Sequence, residues 1–259
     1  MLTLRPEHVA AFEQDALRRY EDEMVEHLKG FAGRLCEIRG EPCVRQVIRL
    51  GIQRAAQYGF TNRGPVRFFI ELMFSFGCDF DTDPQYPWIQ GTLRDPGLAD
   101  QSLRAEELYS RWQTFMQHVA GPKKQYTLEA LRRIDQAKLE DAQTLFGDFE
   151  TRIITGLRKI HPQKTEYVGE PALRVLTAKG IETARGYGVT SELGAAVLVA
   201  LMFGFGHGVT RDPLYPWVSS TLRDPLVKDP DGRAERLYTK AKIYAAHLLA
   251  YLEAEQKNV

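Results

Sequence analysis

No sign of charge dominates this chain: 34 Lys and Arg stand against 34 Asp and Glu, a formal net charge of zero. That balance argues against nucleic acid as a partner, since such binders carry a basic excess or stripe. No basic run exceeds two residues, and one such pair, Lys123-Lys124, lies in an apparent linker. Cysteine is scarce too, with Cys36, Cys43 and Cys78 at spacings that suit no metal site. Free thiols in a reducing compartment are expected. The most apolar run, from Leu193 to Gly206, is shorter than the roughly 20 residues that cross a bilayer. The first residues hold no apolar stretch of signal-peptide length. Together these absences predict a cytoplasmic protein with no membrane contact. The catalytic signatures are missing as well: there is no His-Glu-x-x-His and no nucleophile elbow. No catalytic residue, metal or cofactor is expected.

What the chain does have is a repeat. Leu72-Met73-Phe74, Asp83-Pro84, Tyr86-Pro87-Trp88 and Thr92-Leu93-Arg94-Asp95-Pro96 recur as Leu201-Met202-Phe203, Asp212-Pro213, Tyr215-Pro216-Trp217 and Thr221-Leu222-Arg223-Asp224-Pro225, always 129 positions on. Between residues 40 and 118 there are 32 identities at that offset, without a gap. The repeat predicts two tandem copies of one helical module, 1–120 and 127–259, joined by a linker at 121–126. Two such halves dock most simply with pseudo-twofold symmetry.

The periodicity is helical throughout, so an all-α fold is expected. Val9, Phe12, Ala16, Tyr20, Met24, Leu28, Phe31 and Leu35 step by three and four along one face of a long helix. Its twin is placed from about Thr127, with Phe149, Ile153, Leu157 and Ile160 closing the stripe. Measured from Phe12 and Phe149 that twin is eight residues shorter, with the deletion expected near the helix end. Second helices start at Pro42 and Pro171, where the missing N–H costs nothing. Gly51 and Gly180 lie inside them, which predicts close approach of another helix at each. Gly59 and Gly188 are expected to end them. Buried third helices follow over Pro65 to Phe76 and Ser191 to Phe205. Asp83-Pro84 and Asp212-Pro213 read as the cap and first turn of a short helix, and Asp95-Pro96 with Asp224-Pro225 as the same punctuation again. Last comes an amphipathic helix from Ala105 to Val119, with its twin from Ala234 to Leu248.

Several features invite a chemical reading. Asp79, Asp81 and Asp83 alternate, but a calcium loop wants glycine sixth and glutamate twelfth, and here Pro84 and Gln90 stand there. In the second copy Asp79 becomes Gly208 and Asp81 becomes Thr210, which leaves Asp79 and Asp81 as a candidate acidic contact patch for a basic partner. Tyr86 and Trp88, with Tyr215 and Trp217, suit core packing better than a ligand cage. Arg94-Asp95 and Arg223-Asp224 could pair with or stack on those aromatics. His118 and His247 keep the offset, whereas His207 is found in the second copy alone. The stretch Gly204-Phe205-Gly206-His207-Gly208 has glycines like a phosphate loop but lacks its lysine and follows a helix.

The first copy, from Arg49 to Gly59 and again from Phe74 to Trp88, resembles an uncharacterised bacterial family encoded beside type VI secretion toxin genes. The resemblance covers roughly residues 5 to 118. It implies an accessory protein (an adaptor, a chaperone or an immunity protein) whose partner is a secreted toxin or a secretion component. Asp79, Asp81, Arg94 and His207 are the candidate partner-binding residues. Asp83, Pro84, Tyr86, Trp88 and Asp95, with Asp212, Pro213, Tyr215, Trp217, Arg223 and Asp224, are expected to maintain shape. Two rival expectations are a metal-dependent hydrolase built on Asp79, Asp81, Asp83 and His207, and a purely structural homodimer.

Overall fold

The computed structural model describes residues 6–137 and 146–257, and among them all regular structure is helical. The first half runs α1 (Pro6–Phe31), α2 (Gly33–Arg39), α3 (Glu41–Gln57), α4 (Arg63–Phe76), α5 (Pro87–Leu93) and α6 (Gln101–Phe115), the last continued by a π-helical turn, Met116–Ala120. The second half runs α7 (Gln125–Gln136), α8 (Phe149–Ile160), α9 (Pro162–Val168), α10 (Glu170–Gly186), α11 (Glu192–Phe205), α12 (Pro216–Leu222) and α13 (Pro230–Lys257). No described helix is long and apolar enough to cross a membrane.

Helix boundaries repeat at the sequence offset. α2 and α9, α3 and α10, and α5 and α12 start 129 positions apart, and α4 and α11 end so. The punctuation is backbone geometry that glycine supplies. Gly40 and Gly169 precede the second helices at φ 74° and 80°. Gly59 and Gly188 follow them at 73° and 72°. There the Phe60 and Val189 N–H groups donate back to Ala55 O and Ala184 O at 3.0 and 2.9 Å, closing orphan carbonyls. The mid-helix glycines do mark close approaches. A Cβ on Gly51 would lie 2.6 Å from Ile70 Cγ1, and one on Gly180 would lie 2.5 Å from Val199 Cγ2.

Two expectations about helix lengths change. α1 and α8 end at equivalent places, Phe31 and Ile160, so nothing is deleted near the helix end. Phe149 stands opposite Tyr20, not Phe12, and α1 is longer at its start. The stretch from Thr127 onward belongs to the separate helix α7. The continuation expected through residues 138–145 lies outside the described residues. The expected linker is mostly structured: Pro122–Lys124 forms a 3-10 turn and Gln125 already opens α7.

One buried apolar cluster runs through both halves, from Met24, Val47, Phe69 and Met73 to Leu176, Leu198, Met202 and Leu237. Full burial of each such side chain is worth about 1.5–3 kcal/mol. A smaller cluster joins Leu128 and Leu131 of α7 to Ala245 and Leu252 of α13. Aromatic triads pin the short helices: Phe76 and Tyr86 rings lie 4.4 Å apart with Phe115 edge-on, and Phe205 and Tyr215 lie 4.5 Å apart with Tyr244 edge-on. Tyr86 is 1% exposed and Tyr215 is buried, so both pack in the core.

Candidate functional site at the paired turns

After α4 and α11 the chain turns through Gly77 and Gly206, at φ 93° and 97°, where a residue with a side chain is strained. These turns meet each other. A Cβ on Gly77 would run into the Phe205 carbonyl oxygen, and one on Gly206 into the Phe76 carbonyl oxygen. Two backbones therefore cross at contact distance, and only glycine fits on either side.

Asp83 and Asp212 secure that crossing. Asp83 Oδ2 accepts from the His207 N–H at 2.7 Å, and Asp212 Oδ2 accepts from the Cys78 N–H at 2.7 Å. Each carboxylate also bends its own turn: Oδ1 of Asp83 accepts from Gln85 N–H at 2.9 Å, and Oδ1 of Asp212 accepts from Leu214 N–H at 2.8 Å. This corrects the expected capping role. The short helices begin at Pro87 and Pro216 with Tyr86 and Tyr215 before them, and neither carboxylate caps them. A charged hydrogen bond of this kind contributes about 1.5–3 kcal/mol, because a buried N–H has no water to turn to. Burial pushes the Asp212 carboxyl above its usual range, against the hydrogen bonds from Cys78 that hold it down.

The alternating acidic residues face inward. Asp79 and Asp81 both pair with Arg54 of α3, and Tyr58 donates to Asp81 Oδ2 at 2.9 Å. Arg211, from the other half, adds a bond to Asp79 Oδ2 at 2.7 Å. Burial alone would raise the Asp79 carboxyl, but the Arg54 and Arg211 guanidiniums outweigh it and its pKa lies below the usual range. Asp81 is 2% exposed. What reads in sequence as an acidic patch is in the fold an internal ion-pair network. The change to Gly208 has a physical cause, since a Cβ there would collide with the Asp79 carboxylate. Positions 79 and 208 confront each other, and only one of them can hold a carboxylate. Arg54 gives way to Thr183 in the second half, together with the acids it neutralises.

Asp83 points to the junction while Asp79 and Asp81 point to Arg54. Among the described residues no three His, Cys, Asp or Glu side chains are grouped to hold a metal ion. His207 is buried, and its Nε2 lies 3.1 Å from both Asp79 O and Thr82 Oγ1. A carbonyl only accepts, so Nε2 carries the proton. Burial lowers the His207 pKa, which keeps the ring neutral. His118 Nδ1 donates to Thr114 O at 2.8 Å within its own helix.

Arg223 does stack, but on Tyr187 at 5.5 Å and not on Tyr215 or Trp217. Arg94 is exposed. Asp95 Oδ1 accepts from Gly97 N–H at 2.8 Å and Asp224 Oδ1 from Leu226 N–H at 3.0 Å, so both bend turns and do not open a helix.

Sequence reasoning missed several working residues. Arg104 and Arg233 reach the Tyr58 and Tyr187 carbonyls at 2.6 and 3.0 Å, tying the last helices to the ends of α3 and α10. Their retention at the offset was the available signal. Lys164 was missed altogether. It is 7% exposed, its ammonium lies 4.6 Å from the Phe203 ring, and it donates to Phe203 O and, at 3.1 Å, to Tyr86 OH. Burial lowers its pKa to about 8. Leu35 occupies the equivalent place in the first half.

Comparison of the chain with models of protein families, with curated proteins and with solved structures finds no match in any of the three.

Proposed function

We propose that this chain is one helical module duplicated in tandem and docked about a pseudo-twofold axis. As a rigid body, it acts by binding a protein partner and performs no catalysis of its own. One observation carries this reading: of the acids kept in both halves, the buried pair is spent on the junction, Asp83 on the His207 N–H and Asp212 on the Cys78 N–H. Reciprocal bonds, in which each half gives the other the same contact, are what an isologous interface requires. Groups committed in this way are unavailable for acid–base work. The surface is then left to act by shape and charge, as it does in adaptors and inhibitors.

The narrower form of the proposal is an accessory role (adaptor, chaperone or immunity protein) toward a type VI secretion toxin in the cytoplasm of a bacterium. Its support is the resemblance of the stretch from Arg49 to Trp88. The test is affinity capture with the tagged full chain in the encoding bacterium, followed by mass spectrometry. Enrichment of a toxin or a secretion component is expected. Recovery of neither would overturn the accessory role.

A further inference from the structure

At one surface place the second half sets its own cations on the threonine and aspartate that both halves keep. Between α5 and α6 lies a groove of about 600 Å³, lined by Trp88, Thr92, Asp95, Leu98, Glu107 and Arg111 among others. Thr92 Oγ1 donates to Trp88 O at 2.9 Å, which leaves its lone pairs free to accept. Asp95 has its Oδ1 on Gly97 N–H, and among the described residues no cation pairs with its carboxylate. Glu107 and Arg111 pair with each other at 2.5 Å.

In the second half the same positions carry two cations. Thr221 Oγ1 donates to Trp217 O at 2.6 Å, as Thr92 does, and accepts from the Lys240 ammonium at 2.9 Å. Asp224 holds its turn with Oδ1 and takes the Arg236 guanidinium on Oδ2 at 2.7 Å. Arg236 stands opposite Glu107, and Lys240 opposite Arg111. The formal charge of the set is therefore +1 around Asp224, Arg236 and Lys240, but −1 around Asp95, Glu107 and Arg111. The second half shows which chemistry this scaffold seats: a basic head accepted by a threonine hydroxyl and an aspartate that its own turn has already oriented. The first half keeps the two acceptors, but its own cation there, Arg111, is drawn to Glu107 and away from them.

We infer that the groove between α5 and α6 seats a lysine or arginine side chain from a basic segment of the protein partner. The inference rests on the protein-binding reading above, and it names the surface and the partner chemistry. An incoming ammonium or guanidinium takes Asp95 Oδ2 and the Thr92 hydroxyl, with Glu107 as a second acid at the rim. Its aliphatic stem lies along Trp88 and Leu98, as long basic side chains bury their methylenes.

The test is a nitrogen-15 NMR titration of the full chain with Nα-acetyl-lysine amide and Nα-acetyl-arginine amide, with the norleucine analogue as the uncharged control. Saturable shifts are expected at the Trp88 indole and the Asp95–Leu98 amides, for the charged probes alone and not at Trp217. Asp95→Asn should weaken binding by about fivefold, the range of a partly exposed ion pair. The double variant Glu107→Arg with Arg111→Lys writes the second half's residues into the groove; it should keep the fold and abolish the shifts. Absence of shifts, equal shifts with norleucine, or equal shifts at Trp217 would each overturn the inference. Affinity capture then separates the two readings. A partner recovered equally by wild type and by the double variant sinks the groove and leaves protein binding standing. Charged-probe shifts without any recovered partner sink the protein-binding reading and leave the groove.

Discussion

The two halves make some of the same bonds with different residues, and their paired positions fall into three kinds. Glu23 pairs with Arg63 between α1 and α4, while at the equivalent positions Arg152 pairs with Glu192 between α8 and α11. The interaction survives and its polarity is reversed. At such an exposed place either order serves, because the bond is worth under about 1 kcal/mol and has no third party to satisfy. At the crossing the opposite holds. Gly77, Asp83, Gly206 and Asp212 are held to one identity each by a facing backbone that cannot change chemistry. Position 79 against 208 is a third case, where the two sites confront each other and a carboxylate on one side forces glycine on the other.

Breaking the crossing is expected to have the largest effect. Gly77→Ala or Gly206→Ala combines a forbidden φ with a carbonyl in the path of the new methyl, and should cost more than about 3 kcal/mol in urea unfolding. Similar losses from both variants would support equal duties in the two halves; a tolerated change in either would separate them. Asp83→Ala and Asp212→Ala come next, at about 2–3 kcal/mol each, since a buried N–H is orphaned across the junction. A loss below about 1 kcal/mol would show that these bonds do not hold the junction.

Lys164→Leu sharpens the comparison by copying Leu35 into the second half. In the native protein the Lys164 pKa is lowered to about 8 from 10.5. The unfolded chain then holds that proton more tightly, and native stability rises as pH climbs between the two values. Between pH 8 and about pH 9.5 wild type should gain about 1.5 kcal/mol relative to Lys164→Leu. Urea unfolding of both proteins at matched pH reads the difference, and parallel curves would rule out a buried titrating lysine at this site.

Much of the fold is legible in the order of residues. The period of three and four along α1, the prolines at the starts of α3 and α10, and the glycines that end them are short-range signals, and each dictates local backbone directly. Gly51 and Gly180 even announced a close helix contact, because a glycine kept inside a helix is costly unless something needs the room. The candidate site was legible only as a set of residues. Asp83 was visible as a retained acid, yet its partner lies 124 residues away at His207. A carboxylate before a proline looks the same whether it caps a helix or clamps a neighbour. Asp79 and Asp81 looked exposed because Arg54 and Arg211, which neutralise them, come from distant stretches of chain.

The sequence by itself determined that the chain is helical, that it repeats at a spacing of 129, and where the second helices, α3 and α10, start and stop. Periodicity and capping act over a few residues, so they are written locally. Only the tertiary structure decided that the paired aspartates bind across the halves, that one lysine is buried over two aromatic rings, and that Lys240 and Arg236 settle on Thr221 and Asp224. Those outcomes depend on which surfaces meet once the helices dock, and a linear order of residues specifies such meetings only through the packed core as a whole.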